Sequence, residues 1–284
     1  MVEYHILTPK WPSYELIDFG EGWRWERWGE VTVARPDSWA IGRPQRKRDL
    51  WTARHIYHPT GPYQGQWEPP LPEKWPLLYQ GKGWRMQLWC RAGKFKHLGI
   101  FPEQAVHWEW LYAKLKRWSH PQILNLFAYT GAASVAAALA GAKVTHIDAS
   151  RSAISWAAEN AALNNISTIR WIVEDVRKFV QRARRRGEKY DAILLDPPPY
   201  GIGSGGQRWE IQRDLPPLLE NLLPLLREER GLLLLNLYSA DFSPYTLWRL
   251  IQEVRPIPLE IGELTLATQQ GRHLSTGIFL RGDW

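Results

Sequence analysis

The feature that most constrains this chain is a change of hydrophobic rhythm at Gln122. From there onward, short apolar runs alternate with segments of helical pattern. Strands are expected at 123–127, 143–147, 168–173, 190–195 and 232–237, with two more near 259–266 and 274–280. Helices are expected between them at 132–140, 152–164, 176–186, 214–226 and 243–254. Strands and helices in alternation at this spacing form a parallel, doubly wound α/β sheet. Seven strands follow from the count, most of them parallel. Ligands of such sheets bind at the carboxyl ends of strands, near the point where the strand order reverses.

The preceding part reads differently. Residues 1–90 are β-rich, with short segments at 28–36, 51–57, 77–79 and 84–89 divided by Gly and Pro turns. Residues 58–76 hold six prolines and are expected to be a loop or stiff connector. A helix is expected over 103–117, just after Pro102. The expected division is a small β-rich domain over 1–98 and an α/β domain over 99–284. Residues 1–118 carry 18 Lys+Arg against 12 Asp+Glu and 13 of the 18 Trp. Basic clusters there are Arg43, Arg46, Lys47 and Arg48, then Arg91, Lys94 and Lys96. Aromatic faces stack bases and cations neutralise phosphates, which makes an RNA platform one reading. Tryptophans packed in a small core under a cationic cover are the other.

Some classes are excluded. A single cysteine, Cys90, permits no internal disulfide and no thiolate metal cluster. The eight His lack metal-ligand spacing, so no metal is expected. No run of apolar residues is long enough for a membrane-spanning helix. Glu3, Glu15 and Asp18 near the start, with no apolar core, do not read as a signal peptide, and a cytoplasmic location is expected.

The candidate site follows from the strand ends. The first strand runs into Phe127-Ala128-Tyr129-Thr130-Gly131-Ala132-Ala133-Ser134, small residues that let a ligand approach a helix N-terminus. The second strand ends in Asp148, where a carboxylate can accept hydrogen bonds from both hydroxyls of a ribose. The loop is neither G-x-G-x-x-G nor a P-loop. After the third strand come Glu174 and Asp175. An acid here can meet an adenine amino group, and Asp175 can equally cap the next helix. The fourth strand ends in Asp196-Pro197-Pro198-Pro199-Tyr200, a rigid turn that fixes Asp196 and offers the ring of Tyr200 to a planar target. The glycine-rich stretch 201–206 that follows reads as a lid. Trp209 is expected to pack beside it, and Arg272 is a weaker candidate for the cleft.

Three stretches together carry a resemblance: Gly99-Ile100-Phe101-Pro102-Glu103-Gln104, Leu124-Asn125-Leu126-Phe127-Ala128-Tyr129-Thr130-Gly131, and Asp196 to Tyr200. The set resembles class I S-adenosylmethionine-dependent methyltransferases, and among them the large-subunit ribosomal-RNA group that includes cytosine-C5 and guanine-N7 enzymes. The resemblance spans residues 95–284. It implies a Rossmann-like methyltransferase sheet, S-adenosylmethionine as cofactor and RNA, of ribosomal type, as substrate. It implies that Gln104, Phe127 and the loop Tyr129, Thr130, Gly131, Ala132, Ala133 and Ser134 surround the methionine end. Asp148, with Ala149 and Ser150, would hold the ribose, and Asp175 with Val176 the adenine. Asp196 and Pro197 would border the methyl group and Tyr200 would pack on the target. The N-terminal region departs from the family, with no familiar RNA-binding domain.

The lone cysteine bears on the chemistry. Methylation at cytosine C5 needs a thiolate that adds to C6. Where the resemblance places that nucleophile, the chain reads Asn236-Leu237-Tyr238-Ser239-Ala240. A serine hydroxyl is far less acidic than a thiol, and Cys90 falls on an N-terminal strand. The expected reaction is therefore methylation of a base nitrogen in RNA. The alternatives are a protein or small-molecule acceptor, and a non-catalytic nucleic-acid-binding module that keeps a cofactor site.

Overall fold

The computed structural model describes residues 2–61, 64–92, 96–203, 206–238 and 242–284. Strand β1 (Tyr4–Leu7) comes first, followed by β2 (Tyr14–Gly20), β3 (Trp23–Trp28), β4 (Val31–Pro36), β5 (His55–Gly61), β6 (Gln64–Glu68), β7 (Lys74–Gly81) and β8 (Trp84–Arg91). A 3₁₀ turn at Pro102–Gln104 leads into α1 (Ala105–Leu115). Then come β9 (Gln122–Leu126), α2 (Ala132–Leu139), β10 (Lys143–Asp148), α3 (Arg151–Leu163), β11 (Arg170–Val173), α4 (Val176–Arg185) and β12 (Ala192–Leu195). A short hairpin, β13 (Tyr200–Ile202) and β14 (Arg208–Glu210), precedes α5 (Ile211–Leu222). The chain continues through β15 (Leu232–Leu237), α6 (Pro244–Val254), β16 (Glu260–Ala267) and β17 (His273–Asp283).

The chain divides into two compact units. The larger comprises residues 1–7, 107–264 and 277–284, and the smaller 8–106 and 265–276. The larger unit is built on one sheet in the order β1-β16-β17-β15-β12-β9-β10-β11. All seven expected strands are present, and an eighth joins them. β1 pairs parallel with β16, Tyr4 opposite Ile261 and Leu7 opposite Leu264. Only β17 runs antiparallel, against β15. The central strands β12 and β15 are buried along their whole length, as a sheet covered on both faces requires. Helices α4, α5 and α6 close one face through Phe179, Val180, Leu215, Leu219, Leu247 and Ile251. Helix α5 starts three residues earlier than expected and runs through Pro216 and Pro217. Two prolines remove ladder bonds, but Leu215, Leu218, Leu219 and Leu222 bury the face that holds the helix. No helix among the described residues is long and apolar enough to cross a membrane.

The smaller unit holds a five-stranded sheet, β2-β3-β4-β5-β6, and the hairpin β7-β8. The proline-rich stretch expected to be a loop instead contributes the β5–β6 hairpin. Pro59 is opposite Gly65 in its register, and Tyr57 and Trp67 pair across it edge to face. Of the tryptophans of this unit, Trp11, Trp25, Trp28, Trp67 and Trp84 are buried, Trp23, Trp51, Trp75 and Trp89 are half-buried, and Trp39 is exposed at 37%. This favours the core reading over a stacking platform. A buried ion cluster joins β3 and β4, where Arg35 donates to both oxygens of the fully buried Glu26 at 2.6 and 3.1 Å. Arg272 does not serve a cleft. It donates to the buried Asp18 at 2.9 Å and to the carbonyl of Arg43 at 2.9 Å, tying down the turn after β2.

Candidate active site

Five neighbouring strands of the larger sheet, β15-β12-β9-β10-β11, deliver the expected residues to one edge. The chain leaves β9 toward β10 and β11, then returns to the other side of β9 as β12. This reversal is the switch point at which doubly wound sheets bind ligands. Leu126 is in register with both Ile147 and Leu195, so the ends of β9, β10 and β12 lie side by side.

The turn after β9 is tightly wound. Phe127, Tyr129 and Gly131 have φ of +52°, +49° and +81°. Two of these are aromatic residues in the left-handed region, where each costs about 1–3 kcal/mol and must be held by its surroundings. The restraints are visible. Ala128 N–H donates to the Ile147 carbonyl at 3.1 Å, and Tyr129 N–H donates to Asp148 Oδ2 at 2.9 Å. The Thr130 carbonyl accepts from Asn160 Nδ2 at 2.8 Å. At Gly131 a Cβ would stand 2.9 Å from the Cβ of Ala157, so α2 can start against α3 only without a side chain. The turn leaves its backbone and the first turn of α2 facing the strand edge. Ala132 and Ala133 are half-buried there, whereas Ser134 is fully buried. Ser134 Oγ takes a hydrogen bond from Asn125 Nδ2 at 2.9 Å and lies 3.0 Å from His146 Nδ1. Its place is a polar brace beneath the turn. Burial pushes the His146 imidazole down to about 3, so it is neutral near pH 7.

Asp148 ends β10, half-buried. Its Oδ2 accepts from Tyr129 N–H and its Oδ1 from Ser150 N–H at 2.8 Å. Burial raises its pKa against the lowering effect of these donors. A carboxylate has about four acceptor positions, and the Ala149 backbone also bonds to this one, so acceptor capacity remains for a ribose hydroxyl. This oriented acceptor fits the ribose of a nucleoside cofactor. Ala149 leads to Ser150, which caps α3 by accepting from Ala153 N–H at 3.2 Å.

At the end of β11 the cap reading of Asp175 is realised. Asp175 Oδ1 accepts from Arg177 N–H at 2.9 Å, and Arg177 also grips both carboxylate oxygens, at 3.1 and 2.8 Å. The ion pair holds the Asp175 pKa below the usual carboxylate range, although burial opposes it. The backbone of Gly203 passes so close that a Cβ there would lie 2.3 Å from Asp175 Oδ2. Val176 is buried in the core. Glu174 is bidentate with Arg182, both contacts at 2.6 Å.

The turn after β12 is anchored at both ends. Asp196 N–H donates to the Leu126 carbonyl at 3.3 Å, which sets this turn beside the turn after β9. The Pro198 carbonyl accepts from Trp209 Nε1 at 2.7 Å, and Pro199 accepts from Ile211 N–H at 3.0 Å. Trp209 is buried against Phe127, ring centroids 4.8 Å apart. Asp196 is half-buried, Pro197 is buried and the Tyr200 ring is 69% exposed. The stretch expected as a lid, 201–206, overlaps β13 and leads into β14 of the hairpin; Ser204 and Gly205 lie outside the described residues, as do Lys94, Ser239 and Ala240. The sequence reading missed Arg177, which joins the start of α4 to Asp214 and to the Arg208 carbonyl. It also missed Tyr245 and Trp248 on α6, stacked at 5.3 Å with Tyr245 57% exposed. Nothing local marks Arg177, since its partners are spread over some 40 residues. Gln104 is buried in the 3₁₀ turn of the smaller unit.

Comparison with known proteins bears directly on this edge. The family model described as S-adenosylmethionine-dependent methyltransferase matches residues 30–244. The chain belongs to this family. A SAM-dependent methyltransferase from Agrobacterium tumefaciens superposes with a TM-score of 0.91 at 38% identity, covering 99% of this chain and 95% of that one. A more distant methyltransferase, SMU.776, solved in complex with SAH, shares the fold at a TM-score of 0.67 and 19% identity, covering 92% of this chain and 72% of its own. Among curated proteins, ribosomal RNA large subunit methyltransferase K/L of Shewanella frigidimarina is 41% identical over 118 residues. That match covers 40% of this chain and 16% of the relative. Its counterpart in Pseudoalteromonas atlantica is 37% identical over 135 residues, covering 45% and 18%. The chain thus spans less than a fifth of the curated relatives' length. The methyltransferase is S-adenosylmethionine-dependent, and its sheet is the one the strand–helix alternation leads to.

Proposed function

We propose that this methyltransferase transfers a methyl group to a nitrogen of a base in ribosomal RNA, without a cysteine nucleophile. The observation that carries the reading is the state of the one thiol. Cys90 is completely buried on β8, and burial pushes its pKa far up. A thiol held neutral in an apolar strand is a poor nucleophile. An amine or ring nitrogen needs no covalent activation, because its lone pair attacks directly. The names of the curated relatives support ribosomal RNA as the acceptor class.

The roles follow from the geometry. Asp148 accepts from the ribose. The turn Phe127 to Gly131, with Ala132 and Ala133, accommodates the methionine portion against the start of α2. When bound, the cofactor supplies an electrophilic methyl group on a sulfonium. Asp196 and the Pro197 carbonyl orient the acceptor nitrogen, and Asp196 receives the proton that nitrogen loses. Tyr200 presents its exposed ring to the base. Rigid placement of the nitrogen in line with the methyl carbon is the main catalytic contribution. An adenine amino group at Asp175 requires the Gly203 backbone to withdraw from that carboxylate.

The test is labelled methyl transfer to total RNA and total protein from a host lacking the gene, followed by nucleoside analysis. Label in a nitrogen-methylated nucleoside is expected. Label at cytosine C5 overturns the mechanism, and label in protein alone overturns the acceptor. Cys90→Ala should retain kcat; loss of turnover in a folded variant removes the cysteine-free mechanism. Asp148→Asn should weaken cofactor affinity on the order of 10–100-fold, the worth of hydrogen bonds to a charged group, as measured by calorimetry.

A further inference from the structure

The opposite edge of the same sheet is chemically unlike the site edge. Parallel strands share their starts as well as their ends, so each segment that feeds a strand reaches this second edge. Lys116 and Arg117 precede β9, Lys143 opens β10 and Arg170 opens β11. Arg184, Arg185 and Arg186 end α4, and Lys189 precedes β12. Arg227 and Arg230 precede β15. The acids in these segments, Glu188, Asp191, Glu228 and Glu229, are fewer than half as many. The site edge carries acids at the ends of these strands, Asp148, Glu174, Asp175 and Asp196, of which Glu174 and Asp175 are paired with Arg182 and Arg177.

Cations at helix C-termini complement the helix dipole, which accounts for Arg184 to Arg186. It does not account for Lys143 and Arg170, which begin strands, or for Arg227 and Arg230. Those two are built in. Asp191 is 3% exposed; it accepts from Arg230 Nη2 at 2.6 Å and from Gln122 N–H at 2.8 Å, with Arg227 Nε at 3.3 Å. The Arg230 guanidinium also lies over the Trp118 ring, 4.7 Å from its centroid. Both side chains remain almost half exposed, at 49% and 42%. A guanidinium has five N–H groups, so each keeps donors directed outward after pairing with Asp191. They rim a cavity of about 840 Å³, whose wall also carries His120, Lys189, Glu228 and Glu229.

We infer that this edge is a second RNA-contact surface, which binds the phosphodiester backbone of the substrate away from the methyl-transfer edge. The inference rests on the RNA reading above and extends it. Fixed guanidinium groups suit phosphate oxygens, since planar bidentate donors lose little freedom on binding. Strands of four to six residues separate the two edges by about 15–20 Å at ~3.3 Å per residue. A single nucleotide cannot touch both, so the substrate must be a folded or extended RNA several nucleotides long.

The experiment compares wild type with the triple variant Arg185→Glu, Lys189→Glu, Arg227→Glu and its neutral counterpart with Gln at the three positions. RNA affinity is measured by filter binding against salt, using a ribosomal RNA fragment and a short oligonucleotide, beside calorimetry of cofactor binding. The Glu variant should bind the fragment on the order of 10–100-fold more weakly at moderate salt. Its log–log salt slope should fall by about two, at 0.7–0.9 per phosphate contact. The Gln variant should lie between, and cofactor binding should be unchanged in both. The advantage of the fragment over the oligonucleotide should shrink. If wild type binds RNA but all three proteins share one affinity and slope, this inference is overturned while the RNA reading stands. If wild type shows no salt-dependent RNA binding, the RNA reading itself fails. Loss of binding to phosphatidylserine vesicles with RNA binding intact would assign the edge to a membrane surface instead, and overturn the inference.

Discussion

Asp148 and His146 lie two residues apart on β10, and the same burial acts on them in opposite senses. It raises the carboxyl of Asp148 and lowers the imidazole of His146 to about 3. His97 is likewise lowered to about 3, by burial first and then by neighbouring cations, and His107 falls well below the ordinary value. An unfolded chain protonates these histidines as the pH drops through about 6.5, while in the folded chain His146 and His97 stay neutral until near pH 3 and His107 until well below its ordinary range. More protons bound to the unfolded state means that stability is lost as the pH falls across that window. The urea midpoint should therefore drop between about pH 7 and pH 5. His146→Gln, which cannot titrate, should show a shallower drop. An equal drop would remove His146 from the acid response. Asp148 was legible in the sequence because a strand end followed by an acid is a local pattern. The role of Ser134 was not, because its partners Asn125 and His146 sit on two other elements.

At the scale of elements, the β13–β14 hairpin is the piece that joins the turn after β12 to the rest. Trp209 clamps it, with its indole on the Pro198 carbonyl and its ring on Phe127. Trp209→Phe keeps the ring and deletes the 2.7 Å hydrogen bond. The cost should be ~1 kcal/mol, seen as a Tm lowered by roughly 2–4 °C. The kcat should fall more than the cofactor affinity, because the acceptor turn loosens and the Asp148 end does not. A variant with lowered cofactor affinity and unaltered kcat would sever the hairpin from acceptor positioning. Glycine density and three prolines announced a turn here. They did not announce a hairpin, since the pairing of Tyr200 with Glu210 depends on a register that those residues do not encode.

For the whole molecule, the eight-stranded sheet takes its last strand from residues far removed in sequence. β1 covers the edge of β16, and Tyr4 donates to Glu263 at 2.6 Å. Removing residues up to Leu7 should expose a strand edge. Thermal unfolding should begin lower, and light scattering should show association that the intact chain lacks; an unchanged Tm and no scattering would mean the edge needs no cover. The cations of the second sheet edge belong to this scale as well, for they come from five separate segments.

What the sequence determined by itself is what depends on order along the chain. The alternation of apolar runs and helical segments dictates a doubly wound sheet, strand ends place Asp148 and Asp196 at one edge, and a single cysteine excludes an internal disulfide. What the tertiary structure decided depends on contacts between distant residues. Left-handed backbone at Phe127 and Tyr129 is intrinsically unfavourable, and exists because β10 and α3 supply its hydrogen bonds. Asp175 is turned from an open acid into a capped ion pair by Arg177 and the Gly203 backbone. β1 finds β16 across some 255 residues because an uncovered strand edge is costlier than closing so long a loop, whose entropy grows only with the logarithm of its length.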